Sequence, residues 1–159
     1  DPVRVRFTAA GQANATLLSR RFEVRDDRTL VLNPEVKRLE WLRGGRQRRV
    51  CQAVEVELEG RPLTIGNLHA TNNSDIARVE AGLAADFVAD AERCILCGDF
   101  NVPAYGIQDF SPPIEGIDQI LVRGLEFERA PQSWPPERRR VDGRLLSDHA
   151  PVEAEFELP

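Results

Sequence analysis

No long apolar run, no disulfide framework and no excess of positive charge occur in this sequence of 159 residues. Nothing approaches the roughly 20 apolar residues of a membrane span. The opening residues lack the basic segment and apolar run of a secretory signal. Three cysteines, Cys51, Cys94 and Cys97, make an odd count. Cys94 and Cys97 form a C-x-x-C, but on a strand such a pair points to opposite faces, and no second pair exists to complete a zinc site. All three read as core packing and are compatible with a reducing compartment; the cytoplasm is slightly favoured while location stays open. The formal net charge of −5 gives the chain as a whole no electrostatic footprint for non-specific nucleic-acid binding. Nucleic acid therefore stays possible as a partner without being indicated by charge. Internal repeats and low-complexity tracts are absent as well.

What is present is the composition of an ordinary globular domain, 42% apolar and 30% charged. The length fits one domain over 1–159 with a sizeable core. Val54, Val56 and Leu58 alternate with Glu55 and Glu57, which predicts a half-buried strand over 49–58. A turn at Glu59–Pro62 and a returning strand over 63–69 complete a hairpin. A helix is expected from Asn72–Asp75 onward, with Ser74 as its cap and Ile76, Val79, Leu83, Phe87 and Val88 as its buried stripe. Arg78, Glu80 and Asp86 fall off that stripe. The apolar run Cys94–Cys97 reads as the next strand. Strand, helix, strand is a crossover unit, so the flanking strands run parallel and their C-terminal ends share one edge. This brings His69 and Asp99 together by topology alone, at the edge where sheets of this kind take ligands. Strands over 117–122, 125–130 and 152–158 follow, with a polar loop over 131–146 between the last two.

The residues able to do chemistry sit beside these short apolar runs. His69 and His149, the two histidines of the chain, occur in Asn67-Leu68-His69-Ala70-Thr71 and Leu146-Ser147-Asp148-His149-Ala150. Asp99 and Asn101 occur in Gly98-Asp99-Phe100-Asn101, and Asp118 in Ile117-Asp118-Gln119-Ile120. Together with Gly11-Gln12-Ala13-Asn14-Ala15-Thr16-Leu17-Leu18-Ser19-Arg20, these segments, in this order, resemble the motifs of the endonuclease/exonuclease/phosphatase family. The resemblance covers nearly everything from Gly11 onward. It implies an α/β sandwich of two face-to-face sheets with outer helices, and metal-dependent hydrolysis of a phosphoester with Mg²⁺ or Mn²⁺. By that resemblance Asp99 orients or deprotonates the attacking water, and Asp148, with Asp99, serves the metal. Asn101 holds a phosphate oxygen or the same water, and His149 clamps the phosphate with Asp118 as its orienting carboxylate. His69 matches a histidine that protonates the leaving oxygen in phosphodiesterase-like members. Asn14 matches a position near the cleft, with a turn role beside Gly11 equally open.

The sequence departs from the family pattern at its start. The Asn-bearing strand and the Glu-bearing strand that precede the first motif have no match here, so the domain reads as partial. The expectation for this chain by itself is weak metal binding and slow turnover. A rival reading is an incomplete remnant that binds a phosphate-bearing ligand or a partner chain without turnover; another is a structural domain. An apolar sheet face contributed by Leu63, Ile65, Ile95, Ile120 and Phe156 is expected to be left uncovered, to be closed by a partner, a second copy or N-terminal strands. Arg138-Arg139-Arg140 beside Trp134 is either a solvated loop or a basic strip. The class of phosphoester is not encoded by the shared motifs.

Overall fold

The computed structural model describes residues 14–36, 47–145 and 147–157. The strand-like Val3–Phe7, the Gly11–Ala13 part of the first motif, and Leu158 lie outside them. The larger sheet contains β1 (Glu23–Val31), β2 (Val50–Leu58), β3 (Arg61–His69), β4 (Cys94–Asp99) and β5 (Asp118–Arg123), side by side in chain order. Neighbours run antiparallel except β3 and β4, which are parallel. That pair is joined by the helix α1 (Ser74–Phe87), as a same-direction crossover requires. A smaller sheet pairs β6 (Phe127–Ser133) with β9 (Val152–Phe156). Between them lie a 3-10 turn at Pro136–Arg139 and the short strands β7 (Arg140–Val141) and β8 (Arg144–Leu145). The fold class is the expected one, a sheet-rich α/β sandwich.

The β2–β3 hairpin closes through Glu59 and Gly60, with φ of 53° and 75°. Two left-handed residues make the turn whose twist suits a tight hairpin. It fixes the register from Leu58 opposite Arg61 to Cys51 opposite Leu68. One face of the sheet therefore carries Cys51, Ala53, Thr64, Leu68, Cys94 and Leu96, all buried against α1 and the loop after β4. Burial pushes the Cys51 and Cys94 thiols up to about 12, so both stay protonated packing groups. The other face carries Val54, Val56 and Leu63 in the middle of the sheet, packed by Leu18 and Phe22 from the segment before β1.

The helix buries a different stripe from the expected one. Ala77, Ala81 and Ala84 are fully buried, as is Val88 just beyond the helix, and Glu80 is 1% exposed, whereas Val79 and Leu83 are 63% and 40% exposed. Alanine carries nothing beyond Cβ, so a row of it lets the helix lie close on the sheet. The bulkier row then turns outward. The N-cap is Asn73 rather than Ser74: its extended backbone lets its side chain accept from the Ile76 N–H at 3.2 Å, and Ser74 is already helical.

Two further corrections concern the second sheet. The strand expected over 125–130 lies instead at Phe127–Ser133, shifted because Gly124 turns the chain with φ of 65° at a close approach to Glu92. Pro131 is tolerated inside it because the β6–β9 register breaks between Arg129 and Gln132. The region expected to be an irregular loop over 131–146 thus holds the end of β6, the 3-10 turn and the β7–β8 ribbon. Its arginines are tied into it. Arg138 stacks 3.9 Å from the Trp134 ring centroid and bonds Glu153 at 2.6 Å, Arg139 donates to Ser147 O at 3.3 Å, and Arg140 donates to Gly143 O at 2.7 Å.

Of the five side chains expected on the inter-sheet face, Leu63 is buried and the other four are half-buried. A cleft of about 410 Å³ remains between the sheets, lined by Phe22, Leu63, Ile65, Ile95, Leu125 and Phe156 among others.

Gly98 decides how β4 delivers Asp99. Its φ is 129°, and a Cβ there would lie 2.0 Å from Leu68 O on the neighbouring strand. Gly98→Ala is expected to cost roughly 3 kcal/mol, from strained backbone together with a contact that only strand displacement relieves. Urea unfolding read by its midpoint checks this; an unchanged midpoint at unchanged slope refutes it.

Candidate active site

Three adjacent strands set the first half of the site by register alone. In the parallel β3–β4 ladder His69 lies opposite Asp99, and in the antiparallel β4–β5 ladder Asp99 lies opposite Asp118. Neighbouring strands are about 4.8 Å apart, so the three residues form a row across one edge of the sheet. His69 Nε2 is 3.3 Å from Asp99 Oδ2. Ala70 N–H donates to Asp99 O at 2.8 Å and extends the ladder one step past His69.

The second half comes from the other sheet. Ser147–Ala150 leads into β9, and the His149 N–H donates to Ser147 Oγ at 3.1 Å. His149 Nδ1 lies 3.0 and 2.9 Å from the two oxygens of Asp118. An ionised carboxylate only accepts, so Nδ1 carries the proton and Nε2 is the atom left for chemistry. The hydrogen bond to Asp118 raises the His149 pKa against the cost of desolvation, and the charges of Asp118, Asp99 and Asp148 add to the rise. His69 is moved the other way, first by burial and then by the positive charge of Arg49, with Asp99 opposing. One imidazole is thus held toward its cation and the other toward its neutral form. Such a divergence is what an acid/base pair in one cleft needs.

Asn101 completes the row. It sits in the left-handed region, with φ of 51°, where asparagine is among the better tolerated residues. Its backbone N–H donates to Asp99 Oδ1 at 2.9 Å. Its side-chain amide nitrogen donates to Ala70 O at 2.8 Å and to Asp99 Oδ2 at 3.2 Å. Both amide protons are thereby committed, and the oxygen Oδ1 is the part with acceptor capacity to spare. Asn101 is suited to accept from water rather than to donate to a phosphate.

Asp99, Asp118 and His149 offer ligand atoms within 4.8 Å of one another. The donor set is oxygen-rich and suits a hard divalent cation held by few protein atoms, with water in the rest of its shell. The Asp118 oxygens already serve His149, and Asp99 retains a free lone pair on Oδ1. Asp148 lies exposed outside this group, near enough for its charge to act on His149. Asn14 meets the sheet two residues before His69, and the turn role beside Gly11 lies outside the described residues. Its amide donates to Val50 O and Asn67 O, both at 3.0 Å, and braces β2 against β3.

Sequence reasoning missed Arg49 and Glu80. Arg49 is 9% exposed; burial lowers its pKa, and the charges of Glu80 and Asp99 oppose that. Glu80 accepts from Thr71 N–H at 2.5 Å and from Thr71 Oγ at 2.8 Å. The signal that would have found Glu80 is its place in the small-residue row Ala77, Ala81, Ala84.

No family model matches the chain, and no curated protein matches its sequence. Solved structures do match its fold. An endonuclease/exonuclease/phosphatase protein from Bacteroides vulgatus superposes with a TM-score of 0.60 at 20% identity, over 87% of this chain and 67% of that one. A mannosyl-6-phosphatase from Bacteroides thetaiotaomicron gives 0.59 at 18%, over 86% and 67%. A humanized D. rerio TDP2 gives 0.63 at 13%, over 86% and 66%. The chain spans about two thirds of the length of each.

His149 is expected to titrate above the ordinary histidine value of roughly 6.5, and His69 below it, in NMR titrations without added metal. Asp118→Asn removes the acceptor charge and returns His149 toward the ordinary value. The sign for stability follows. The His149–Asp118 contribution is fully present below the unfolded pKa and is lost as pH rises through the raised folded one. A His149 that titrates below His69 refutes the assignment.

Proposed function

We propose that this chain, which carries the endonuclease/exonuclease/phosphatase fold, is a hydrolase of phosphoesters acting through the row His69, Asp99, Asp118 and His149. The observation that carries the reading is the meeting of His149, from the loop that leads into β9 of the smaller sheet, with Asp118, from the edge strand of the larger one. Neither sheet gains packing from two bare polar groups there, whereas a phosphoryl group needs an oriented cationic donor and a water-positioning carboxylate in one place. The fold neighbours that are a phosphatase and TDP2 agree with this class without naming a substrate for this chain.

The geometry supports the following roles. His149, held by Asp118 through Nδ1 and favoured toward its charged form, presents Nε2–H to a non-bridging phosphate oxygen as negative charge grows on it. Asp99, with a lone pair free on Oδ1, takes a proton from the attacking water or fixes its direction, and Asn101 Oδ1 accepts the other proton. His69 stands on the opposite side of Asp99 from Asp118, where a leaving oxygen is served. Its depressed pKa leaves it neutral at neutral pH, so delivery of a proton from His69 is favoured on the acid side. Asp99, which keeps acceptor capacity beside Asp118 and His149, is the carboxylate that would hold Mg²⁺ or Mn²⁺, while Asp148, expected to share that work, lies outside the group. Such an ion, when bound, neutralises charge on the phosphoryl oxygens.

Hydrolysis of bis-p-nitrophenyl phosphate with Mg²⁺ or Mn²⁺ tests the reading. His149→Ala and Asp99→Asn are each expected to lower kcat by about 100-fold or more. Activity that survives both changes, or that is equal with and without chelator, overturns it.

A further inference from the structure

Glu80 is a charged side chain on the buried face of α1, 1% exposed and used by none of the steps above. Burying a carboxyl group is costly unless its oxygens are bonded, and a glutamine or alanine would satisfy helix packing more cheaply. Both of its oxygens are spent on one residue: Oε2 accepts from Thr71 N–H and Oε1 from the Thr71 hydroxyl. Thr71 stands two residues past His69, where the ladder hydrogen bonds of β3 have ended. The peptide before it is pulled from the other side, because Ala70 N–H donates to Asp99 O and Ala70 O accepts from the Asn101 amide. That same amide nitrogen donates to Asp99 Oδ2. A continuous line of hydrogen bonds thus runs from Glu80 through Thr71 and Ala70 to Asn101 and Asp99.

We infer that Glu80 is a positioning residue for this site: by clamping Thr71 it fixes Ala70 O, and Ala70 O fixes which way the Asn101 amide points. Without that carbonyl the longer hydrogen bond to Asp99 Oδ2 is what remains to set the amide's direction, since its two ends are nearly the same size and shape. A turned amide presents N–H to the water position and places its oxygen against Asp99, where two acceptors repel. The catalytic use of this control rests on the phosphoesterase reading, while the control itself does not. Chemistry at Asn101 and Asp99 then depends on a helix residue that touches neither.

The test uses three variants of the whole chain. Glu80→Gln keeps an oxygen for Thr71 N–H and offers an N–H to the Thr71 hydroxyl oxygen, so it keeps the clamp. Glu80→Asp keeps the charge and the burial but is one methylene shorter and loses reach. Glu80→Ala removes the clamp. The Asn101 side-chain amide is read by NMR, its signals assigned by their loss in Asn101→Asp. In Glu80→Asp and Glu80→Ala these signals are expected to move toward those of a solvated asparagine and to exchange with water about tenfold faster or more, while Glu80→Gln stays like the parent. With bis-p-nitrophenyl phosphate, kcat is expected to fall about tenfold in Glu80→Asp with KM nearly unchanged, the pattern of a lost transition-state interaction. Parent-like Asn101 signals in a folded Glu80→Asp overturn the inference, and so does a Glu80→Gln as impaired as Glu80→Asp. If Glu80→Ala does not fold, the Asp and Gln pair decides alone. If no form, parent included, hydrolyses the diester, the functional reading fails and the Asn101 signals still decide the positioning.

Discussion

The parallel register between β3 and β4 is the constraint on which the rest of the site depends. It sets His69 level with Asp99, and the antiparallel register of β5 then sets Asp118 level with Asp99 on the far side. A slip of one residue in either ladder turns every side chain of the moved strand to the opposite face. The register is held by burial: Leu68, Leu96 and Leu121 must all face α1, and each is 1% exposed or less. Hydrophobic packing on one face of the sheet therefore aligns the polar row on the other. The same alternation makes the sheet's second face apolar in the middle, at Leu63, Ile65 and Ile95, and polar at its end, at Asn67, His69 and Asp99.

The two sheets meet at that polar end through Asp118 and His149. This contact has a chemical asymmetry. Asp118 gives both of its oxygens to one imidazole nitrogen and so is an orienting group first, whereas Asp99 is braced by Asn101 and keeps acceptor capacity. Two carboxylates in adjacent strands thus have different work, decided by what each is bonded to. Arg49 adds a buried positive charge whose field reaches His69, Asp99 and Glu80 at once, and after burial it is the next cause that lowers the His69 pKa. Surface ion pairs such as Arg78–Asp75 and Arg61–Glu92 carry little of this, since water screens them.

Much of the local structure was legible. The β2–β3 hairpin, the crossover helix, the apolar strand at Cys94–Cys97 and the meeting of His69 with Asp99 all follow from patterning and topology. The misreadings share a cause, which is that apolar periodicity ranks side chains by size. Ile76, Val79 and Leu83 outweigh alanine on any such scale, yet close approach of helix to sheet favoured the alanine row. Glu80 falls off the apolar stripe, where a mid-helix charge usually meets solvent. Its burial depends on Thr71, a partner outside the helix. The β6 shift has the same origin, since a broken ladder rather than local propensity makes room for Pro131.

By itself the sequence determined which residues are chemically able and which strand ends carry them, because strand alternation and turn chemistry act over a few residues. It also determined the order of those residues along the chain, and with it the resemblance to a phosphoesterase family. Tertiary structure alone decided that Asn101 shows an oxygen rather than an amide, that Asp148 stays outside the cluster, and that Arg49 and Glu80 lie beneath the site. Each of these is a hydrogen-bond or charge relation between residues far apart in the chain. Its sign depends on distances of a few ångströms, which residue type and spacing do not contain.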